Sequence, residues 1–170
     1  RCQLMQIAIA GCGQLARMLA LAGWEMGHRF SFIADPGEGT DCVAGLGPVA
    51  EWNEKISVAA FYEALGSPDV VTVEKEHVNV ILLEGLAEHC QVTPSPDAIW
   101  VCQHRGREKT LLQSLGIETA PFRVVEDSSS LIAAVESVGY PAFVKSCELG
   151  YDGQNQWLLR DASALDALAD

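Results

Sequence analysis

Short apolar runs alternate with amphipathic stretches along the first part of the chain. Residues 6–10 and 30–34 are apolar runs that end at turn residues, and residues 14–27 between them show apolar positions at helical spacing. Short apolar runs of this kind indicate buried strands, and a spacing of three and four residues indicates a helix. The helical positions are Leu15, Met18, Leu19, Ala22 and Met26. Because a helix joins the two strands, we predict that they are parallel neighbours.

The same alternation continues to about residue 96. It predicts further strands at residues 48–51, 70–74 and 91–92, and helices at residues 56–65 and 80–89. Strands that alternate with helices are typical of a doubly wound α/β domain with a parallel sheet. We therefore predict one such domain at residues 1–96.

The remaining residues, 97–170, predict a smaller unit. The predicted helices lie at residues 97–102, 105–115, 128–138 and 162–169, and the predicted strands at residues 122–126, 141–145 and 156–160, with a glycine-bearing loop at residues 148–156. These elements would leave much apolar surface uncovered. Together with the Arg1 start and the abrupt Asp170 end, this leads us to expect a piece of a longer polypeptide.

Charge and cysteine usage narrow the classes of function. The 23 acidic and 11 basic residues give a net charge of -12, which disfavours nucleic-acid binding and docking on anionic membranes. No apolar run is long enough to span a bilayer, and we find no targeting signal. The six cysteines show no C-x-x-C spacing, so we expect buried, reduced thiols in a cytoplasmic protein rather than a zinc site or disulfides.

A glycine turn follows the first predicted strand. Gly11, Gly13 and Ala16 fit the pattern G-x-G-x-x-A, in which small residues let a phosphate approach the N-terminus of a helix. Asp35 closes the next strand, where a dinucleotide-binding fold often places a ribose-binding carboxylate. A turn that serves only to pack a helix on a strand would explain the glycines equally well.

Acidic residues follow the fourth predicted strand. Glu74 and Glu76 come where open α/β sheets bind their ligands, at the carboxyl ends of parallel strands. They are suited to accept hydrogen bonds from ribose hydroxyls or from an amine. A solvated acidic loop is the alternative interpretation.

Basic residues mark the second part of the chain. Arg105 and Lys109 lie one helical turn apart, where both can face one phosphate chain, although a solvated helix face has the same pattern. Lys145 ends an apolar strand, where a lysine is costly unless it has a partner. A nucleotide phosphate would supply that partner, and the glycine loop at residues 150–156 is suited to cover phosphates.

Taken together, these segments resemble the N-terminal part of the 5-(carboxyamino)imidazole ribonucleotide synthase family, the ATPase subunit of phosphoribosylaminoimidazole carboxylase in the ATP-grasp superfamily. The similar pieces run in family order. They are GCGQLARML at residues 11–19, Asp35-Pro36, VTVEKEHV at residues 71–78, residues 103–109, LGIETAPF at residues 115–122, PAFVKS at residues 141–146 and GYDGQNQW at residues 150–157.

The resemblance implies a fold and an activity. The fold is α/β, with a Rossmann-like pre-ATP-grasp domain at residues 1–96 and the start of an ATP-grasp domain with its α+β lid at residues 97–170. The activity is that of a carbon–nitrogen ligase in purine biosynthesis, which uses ATP and bicarbonate to carboxylate 5-aminoimidazole ribonucleotide through carboxyphosphate. ATP and Mg²⁺ are the implied cofactors. We expect the metal ligands outside this chain, no activity from the isolated chain, and a homodimer when the protein is full length.

The resemblance also implies roles for particular residues, although it assigns no catalytic residue and no metal ligand within the chain. Residues that match the ATP site are Arg105, Lys145, Gly150, Tyr151, Asp152, Gly153, Gln154, Asn155 and Gln156. Residues that match the ribonucleotide site are Gly13, Gln14, Leu15 and Glu76.

The chain departs from the family pattern at a few positions. Gln154 stands where the family has a cation, Asn155 and Leu149 stand where it has glycines, His104 stands for an aspartate and His77 for an asparagine. Two other classes of function therefore stay open. One is a Rossmann-type NAD(P)-binding oxidoreductase domain, which would leave Lys145 without a role. The other is a non-catalytic ATP-grasp-like module.

Overall fold

The chain folds into two compact units. A computed structural model describes residues 4–148 and 155–164, and these divide into a first unit, Arg1–Trp100, and a second unit, Val101–Asp170. Most of the predicted glycine loop and of the predicted helix at residues 162–169 lies outside the described residues.

The first unit is built on a parallel sheet with the strand order β3-β2-β1-β4-β5. Its strands are β1 (Gln6–Ala10), β2 (Arg29–Ala34), β3 (Val49–Glu51), β4 (Val70–Val73) and β5 (Gln91–Val92). Its helices are α1 (Gln14–Glu25), α2 (Val58–Ala64), α3 (Val80–Ala87) and α4 (Pro96–Cys102), which runs on into the second unit. The predicted α/β class and parallel sheet are confirmed. The sequence pattern missed one turn of 3-10 helix, Asp41–Val43.

Successive side chains of a strand point to opposite faces of the sheet. Each face of this sheet therefore carries its own cluster of buried apolar residues. Ala8 and Ala10 of β1 join a buried cluster with Phe61 of α2 and with Leu83 and Leu86 of α3. Ile9 belongs instead to a second cluster on α1 and β2. Burying one such large apolar side chain stabilises the fold by about 1.5–3 kcal/mol.

Helix α1 turns an unexpected face to the sheet. Its buried residues are Ala16 and Ala20, whereas Leu15 is 57% exposed and Met18 is 62% exposed. The apolar spacing correctly predicted a helix but not the side that packs. Small residues face the sheet because the helix lies close to it, and a side chain at Gly23 would overlap the ring of Phe30.

The second unit is a small α+β arrangement. It contains α5 (Arg105–Ser114), α6 (Ser128–Val138) and the antiparallel pair β6 (Ala142–Lys145) and β7 (Gln156–Leu159). Its buried cluster consists of Leu131, Val135 and Leu159. Phe143, Trp157 and other large apolar side chains are exposed, as the sequence predicted for this unit.

The predicted strand at residues 122–126 is wrong. These residues form no strand, and within the described residues β6 pairs only with β7. A β-rich sequence becomes a strand only where a neighbour takes its backbone hydrogen bonds. Val125 packs instead against the buried cluster of the second unit.

Two further findings concern the cysteines and the helices. The five cysteines among the described residues are unbonded. Cys12 is buried but Cys102 is exposed, so the prediction of buried thiols holds only in part.

In the part of the chain that the structure describes, no helix has the length and apolar character that crossing a membrane requires.

Candidate functional site

The glycine turn lies at the carboxyl end of β1 and leads into α1. Gly11 has a φ of +124°, a backbone conformation that residues with a side chain rarely adopt. A Cβ at Gly11 would overlap the Glu74 carboxylate. The Gly13 N–H, at the N-cap of α1, donates to Glu74 Oε1 at 3.3 Å. The turn is therefore shaped around the side chain of Glu74, the residue that follows β4.

A second carboxylate, that of Glu38, joins the loops that follow three strands. Its Oε1 accepts the Cys12 N–H at 2.9 Å, and its Oε2 accepts the Asp35 N–H at 2.9 Å. Lys75 Nζ donates to Glu38 Oε2 at 2.8 Å and to Asp35 Oδ2 at 2.6 Å. We call Glu38, Lys75 and Asp35 the carboxylate clasp. It connects the loops after β1, β2 and β4 at one edge of the sheet.

Glu38 and Lys75 form an ion pair within the clasp. Partial burial raises the pKa of the Glu38 carboxyl, but the hydrogen bonds from Lys75, Asp35 and Cys12 outweigh it and leave that pKa below its usual value. Partial burial lowers the pKa of Lys75, and the two carboxylates reverse this and raise it. Both groups are thus charged at neutral pH. Burial and the charge of Glu38 raise the pKa of the Cys12 thiol to about 11, so this thiol stays protonated.

The residues predicted to bind the ribonucleotide lie around this edge. Gly13 is the N-cap of α1, and Gln14 and Leu15 are exposed on its first turn. Glu76 is exposed on the loop after β4, where its carbonyl accepts the Val78 N–H at 3.0 Å. The carboxylates of Glu74 and Glu38 accept hydrogen bonds from the turn.

The geometry disfavours the dinucleotide-binding alternative. A pyrophosphate on such a turn takes hydrogen bonds from backbone N–H groups at the start of the helix. Here the N–H groups of Cys12 and Gly13 already donate to carboxylates. Asp35, the expected ribose ligand, is bound by Lys75. Three carboxylates against one ammonium would also repel a phosphate.

In the second unit, Arg105 and His104 begin α5. The Arg105 N–H donates to the Cys147 carbonyl at 2.9 Å, which brings the start of the helix next to the segment that follows Lys145. His104 Nδ1 accepts the N–H groups of Gly106 at 3.1 Å and Arg107 at 3.2 Å. The histidine therefore performs the N-capping that an aspartate usually provides.

The structure corrects the argument from burial for Lys145. This residue is exposed at the end of β6, and its Nζ lies 5.5 Å from the centroid of the Phe143 ring. An exposed ammonium keeps its hydration, so it does not require an anionic partner. Lys109 makes a similar contact, 5.3 Å from the ring centroid of Phe122. Burial therefore gives no reason to expect an anionic partner for Lys145.

The end of the glycine loop reaches the same strand pair. Gln156 pairs with Lys145 in the β6–β7 register, and the Asn155 carbonyl accepts the Ser146 N–H at 3.0 Å. Asn155 has a φ of +54°, which asparagine tolerates better than most residues with a side chain. Of the other predicted nucleotide-binding residues, those at positions 150–154 lie outside the described residues.

Sequence reasoning missed Glu38 and Lys75. Glu38 lies in the loop after the second predicted strand, to which the sequence pattern assigned no role. Lys75 stands between Glu74 and Glu76, the two residues considered as ligand-binding carboxylates. The available signal was their position, because each follows a strand whose carboxyl end lies at the same edge as the glycine turn.

Comparison with known proteins accounts for both parts of the chain. Residues 4–103 match the family described as the ribonucleotide synthetase pre-ATP-grasp domain. The chain belongs to this family. Residues 110–170 match the ATP-grasp domain, so the two segments follow each other in the order that the sequence resemblance implied.

The chain is similar to N5-carboxyaminoimidazole ribonucleotide synthases. It is 40% identical over 152 residues to that of Brucella melitensis, covering 88% of this chain and 41% of the relative. It is 30% identical over 165 residues to that of Bacillus subtilis, covering 96% and 42%. The N5-carboxyaminoimidazole synthetase of Staphylococcus aureus, solved with ADP, has a TM-score of 0.85 at 30% identity, covering 97% of this chain and 44% of that one.

These comparisons confirm the resemblance to the carboxyaminoimidazole ribonucleotide synthase family. They favour a pre-ATP-grasp protein over the Rossmann oxidoreductase alternative, in agreement with the occupied N–H groups of the glycine turn. The chain spans about two fifths of the length of these curated relatives.

Proposed function

We propose that this chain contributes to an ATP-grasp ligase that carboxylates 5-aminoimidazole ribonucleotide with bicarbonate in purine biosynthesis. The observation that carries the proposal is the match to a pre-ATP-grasp domain and then an ATP-grasp domain along one chain. ATP would activate bicarbonate as carboxyphosphate, and the ribonucleotide amine would then attack the activated carbon. We further propose a cytoplasmic enzyme, a homodimer at full length, and a substrate-side domain at residues 1–96.

The first unit would bind the ribonucleotide. Gly13, Gln14 and Leu15 present the glycine turn and the first turn of α1, and Glu76 lies exposed on the loop after β4. A carboxylate at this edge is suited to accept hydrogen bonds from hydroxyl or amine groups. The negative edge would repel the ribonucleotide phosphate, so the phosphate would point away from it.

The second unit would bind the nucleotide. Arg105 starts α5 beside the segment that follows Lys145, and Gln156 pairs with Lys145. Positive charge at this strand pair suits the phosphates of ATP, and the glycine loop at residues 150–156 would close over them. Water excluded by that loop would not hydrolyse carboxyphosphate. Among the described residues no three His, Cys, Asp or Glu side chains gather as a metal site, and we place no Mg²⁺ ligand among them.

The activity is tested by phosphate release from ATP, measured on the natural polypeptide that carries this sequence. Release that requires both 5-aminoimidazole ribonucleotide and bicarbonate is the expected result. ATP binding without any such release would favour the second candidate, a non-catalytic ATP-grasp-like module, which the replacement of the loop cation by Gln154 suggests. We expect no release from the isolated 170-residue chain.

The role of Lys145 is tested by Lys145→Met, which keeps the aliphatic stem and removes the charge. We expect ATP affinity, measured by calorimetry, to fall by about 1.5–3 kcal/mol, the range for a charge-assisted hydrogen bond. Lys55→Met is the matched control, because Lys55 is an exposed lysine of the first unit. Equal affinities in the two variants would remove Lys145 from the nucleotide site.

A further inference from the structure

The Glu38 side chain, which belongs to the loop after β2, binds the backbone of the glycine turn after β1. Glu38 Oε1 holds the Cys12 N–H, and Glu38 Oε2 holds the Asp35 N–H, each at 2.9 Å. Both oxygens are therefore used on backbone groups of two different loops. Lys75 Nζ adds the loop after β4 through its contacts at 2.8 Å with Glu38 and 2.6 Å with Asp35.

The geometry points to Glu38 as a positioning residue for the ribonucleotide site, with Lys75 as its charge partner. This inference rests on the proposed function. Glu38 is not among the residues that the family resemblance places at the substrate. It would act through the Cys12 N–H on the turn whose next residues, Gly13, Gln14 and Leu15, are those proposed to face the ribonucleotide.

Apart from Glu38, the turn is held by the Gly11 N–H, which donates to the Ile33 carbonyl at 2.9 Å, and by the buried Cys12 side chain. The N-cap residue Gly13 has no side chain that caps α1, and the side chains that bind N–H groups of the turn are Glu38 at Cys12 and Glu74 at Gly13. The Glu74 contact at 3.3 Å is longer than either backbone contact of Glu38. A shift of the turn would move the exposed side chains at the start of α1.

The proposed role of Glu38 requires the charged carboxylate and not only a side chain of the same shape. A glutamine at position 38 offers one acceptor oxygen where the carboxylate uses two, and its amide N–H groups would face Lys75 Nζ or a backbone N–H, which are donors too. Lys75 without Glu38 would still hold Asp35 but no longer the loop before α1. Removing Lys75 instead leaves both backbone hydrogen bonds of Glu38 in place.

The test is calorimetric binding of 5-aminoimidazole ribonucleotide to the natural polypeptide that carries this sequence, as the parent chain, and to three variants, Glu38→Gln, Lys75→Met and the double variant. Glu54→Gln is the matched control, because Glu54 is an exposed carboxylate of the same unit. All proteins are compared at a temperature where circular dichroism shows each one folded. Amide hydrogen exchange at Cys12 and Asp35 is followed by NMR in the same samples.

We expect Glu38→Gln to weaken ribonucleotide binding about tenfold, a value typical of losing hydrogen bonds to a charged group. Exchange at the Cys12 and Asp35 amides should speed up in the same variant. Lys75→Met should have a smaller effect, the double variant should bind as weakly as Glu38→Gln, and the control should bind like the parent chain.

The possible failures are distinct. If the parent chain does not bind the ribonucleotide, the proposed function is wrong for this edge, and the positioning role falls with it. If the parent binds and Glu38→Gln binds equally well, only the positioning role is refuted. Faster exchange at Cys12 with unchanged affinity would make Glu38 a purely structural residue and would also overturn the inference.

Discussion

Replacing Gly11 by alanine tests whether the glycine turn is shaped around Glu74. Gly11 has a φ of +124°, and an added Cβ would overlap the Glu74 side chain, whose Oε1 accepts the Gly13 N–H at 3.3 Å. Two costs follow. The backbone strain belongs to residue 11 alone, whereas the overlap exists only while Glu74 is present.

The two costs have different sizes. A side chain in the left-handed region costs about 1–2 kcal/mol. Displacing Glu74 costs about 1 kcal/mol, because the hydrogen bond that it would lose is long. Gly11→Ala should therefore lower the free energy of unfolding by about 2–3 kcal/mol. In a Glu74→Ala background the overlap is gone, and the same change should cost only the strain.

The assay is urea unfolding of the parent, the two single variants and the double variant. The expected coupling between positions 11 and 74 is about 1 kcal/mol. Gly37→Ala is the control, because Gly37 also has a positive φ, +78°, but a Cβ there meets no atom within 4 Å. Its cost should be the same with and without Glu74. A coupling of zero between Gly11 and Glu74 would refute the view that this carboxylate shapes the turn.

Two further changes probe the second unit by urea unfolding. His104→Ala should lower the free energy of unfolding by about 1 kcal/mol, because the N–H groups of Gly106 and Arg107 lose their acceptor. His104→Asp should restore the stability. An alanine variant as stable as the parent would contradict the capping role. Asn155→Val should cost about 1–2 kcal/mol at its φ of +54°, whereas Asn155→Gly should cost little; equal costs would show that the left-handed backbone is not retained.

The sequence predicted well those features that depend on neighbours along the chain. The bounds of β1 and α6 are those that the apolar pattern and the turn residues indicate, because short runs carry their own hydrogen-bonding and packing preference. The apolar positions that predicted α1 do not mark its buried side, because the buried residues are Ala16 and Ala20 whereas Leu15 and Met18 are exposed. Close approach of the helix to the sheet selects small residues, and that distance is a tertiary property.

The candidate site was predictable only in its location. The carboxyl ends of β1, β2 and β4 had to meet in a parallel sheet, so the glycine turn and the glutamates after β4 had to be neighbours. Which carboxylate contacts which backbone group depends on loop conformations that no local pattern encodes. Glu38 is the clearest case, since its partners Cys12 and Lys75 are 26 and 37 residues away.

The departures from the family pattern fall into two kinds with different consequences. His104 and Asn155 both have a backbone role in this chain, His104 as the N-cap of α5 and Asn155 as a residue with a positive φ. Gln154 replaces a cation, which is a loss of charge that no backbone geometry restores. The scaffold of the proposed nucleotide site is therefore kept while its charge is reduced. In the proposed site, Arg105 and Lys145 would carry the phosphate binding that a loop cation would otherwise share. The ATP affinity of Lys145→Met therefore tests the nucleotide site itself, whereas phosphate release that requires the ribonucleotide and bicarbonate separates the ligase from a non-catalytic module.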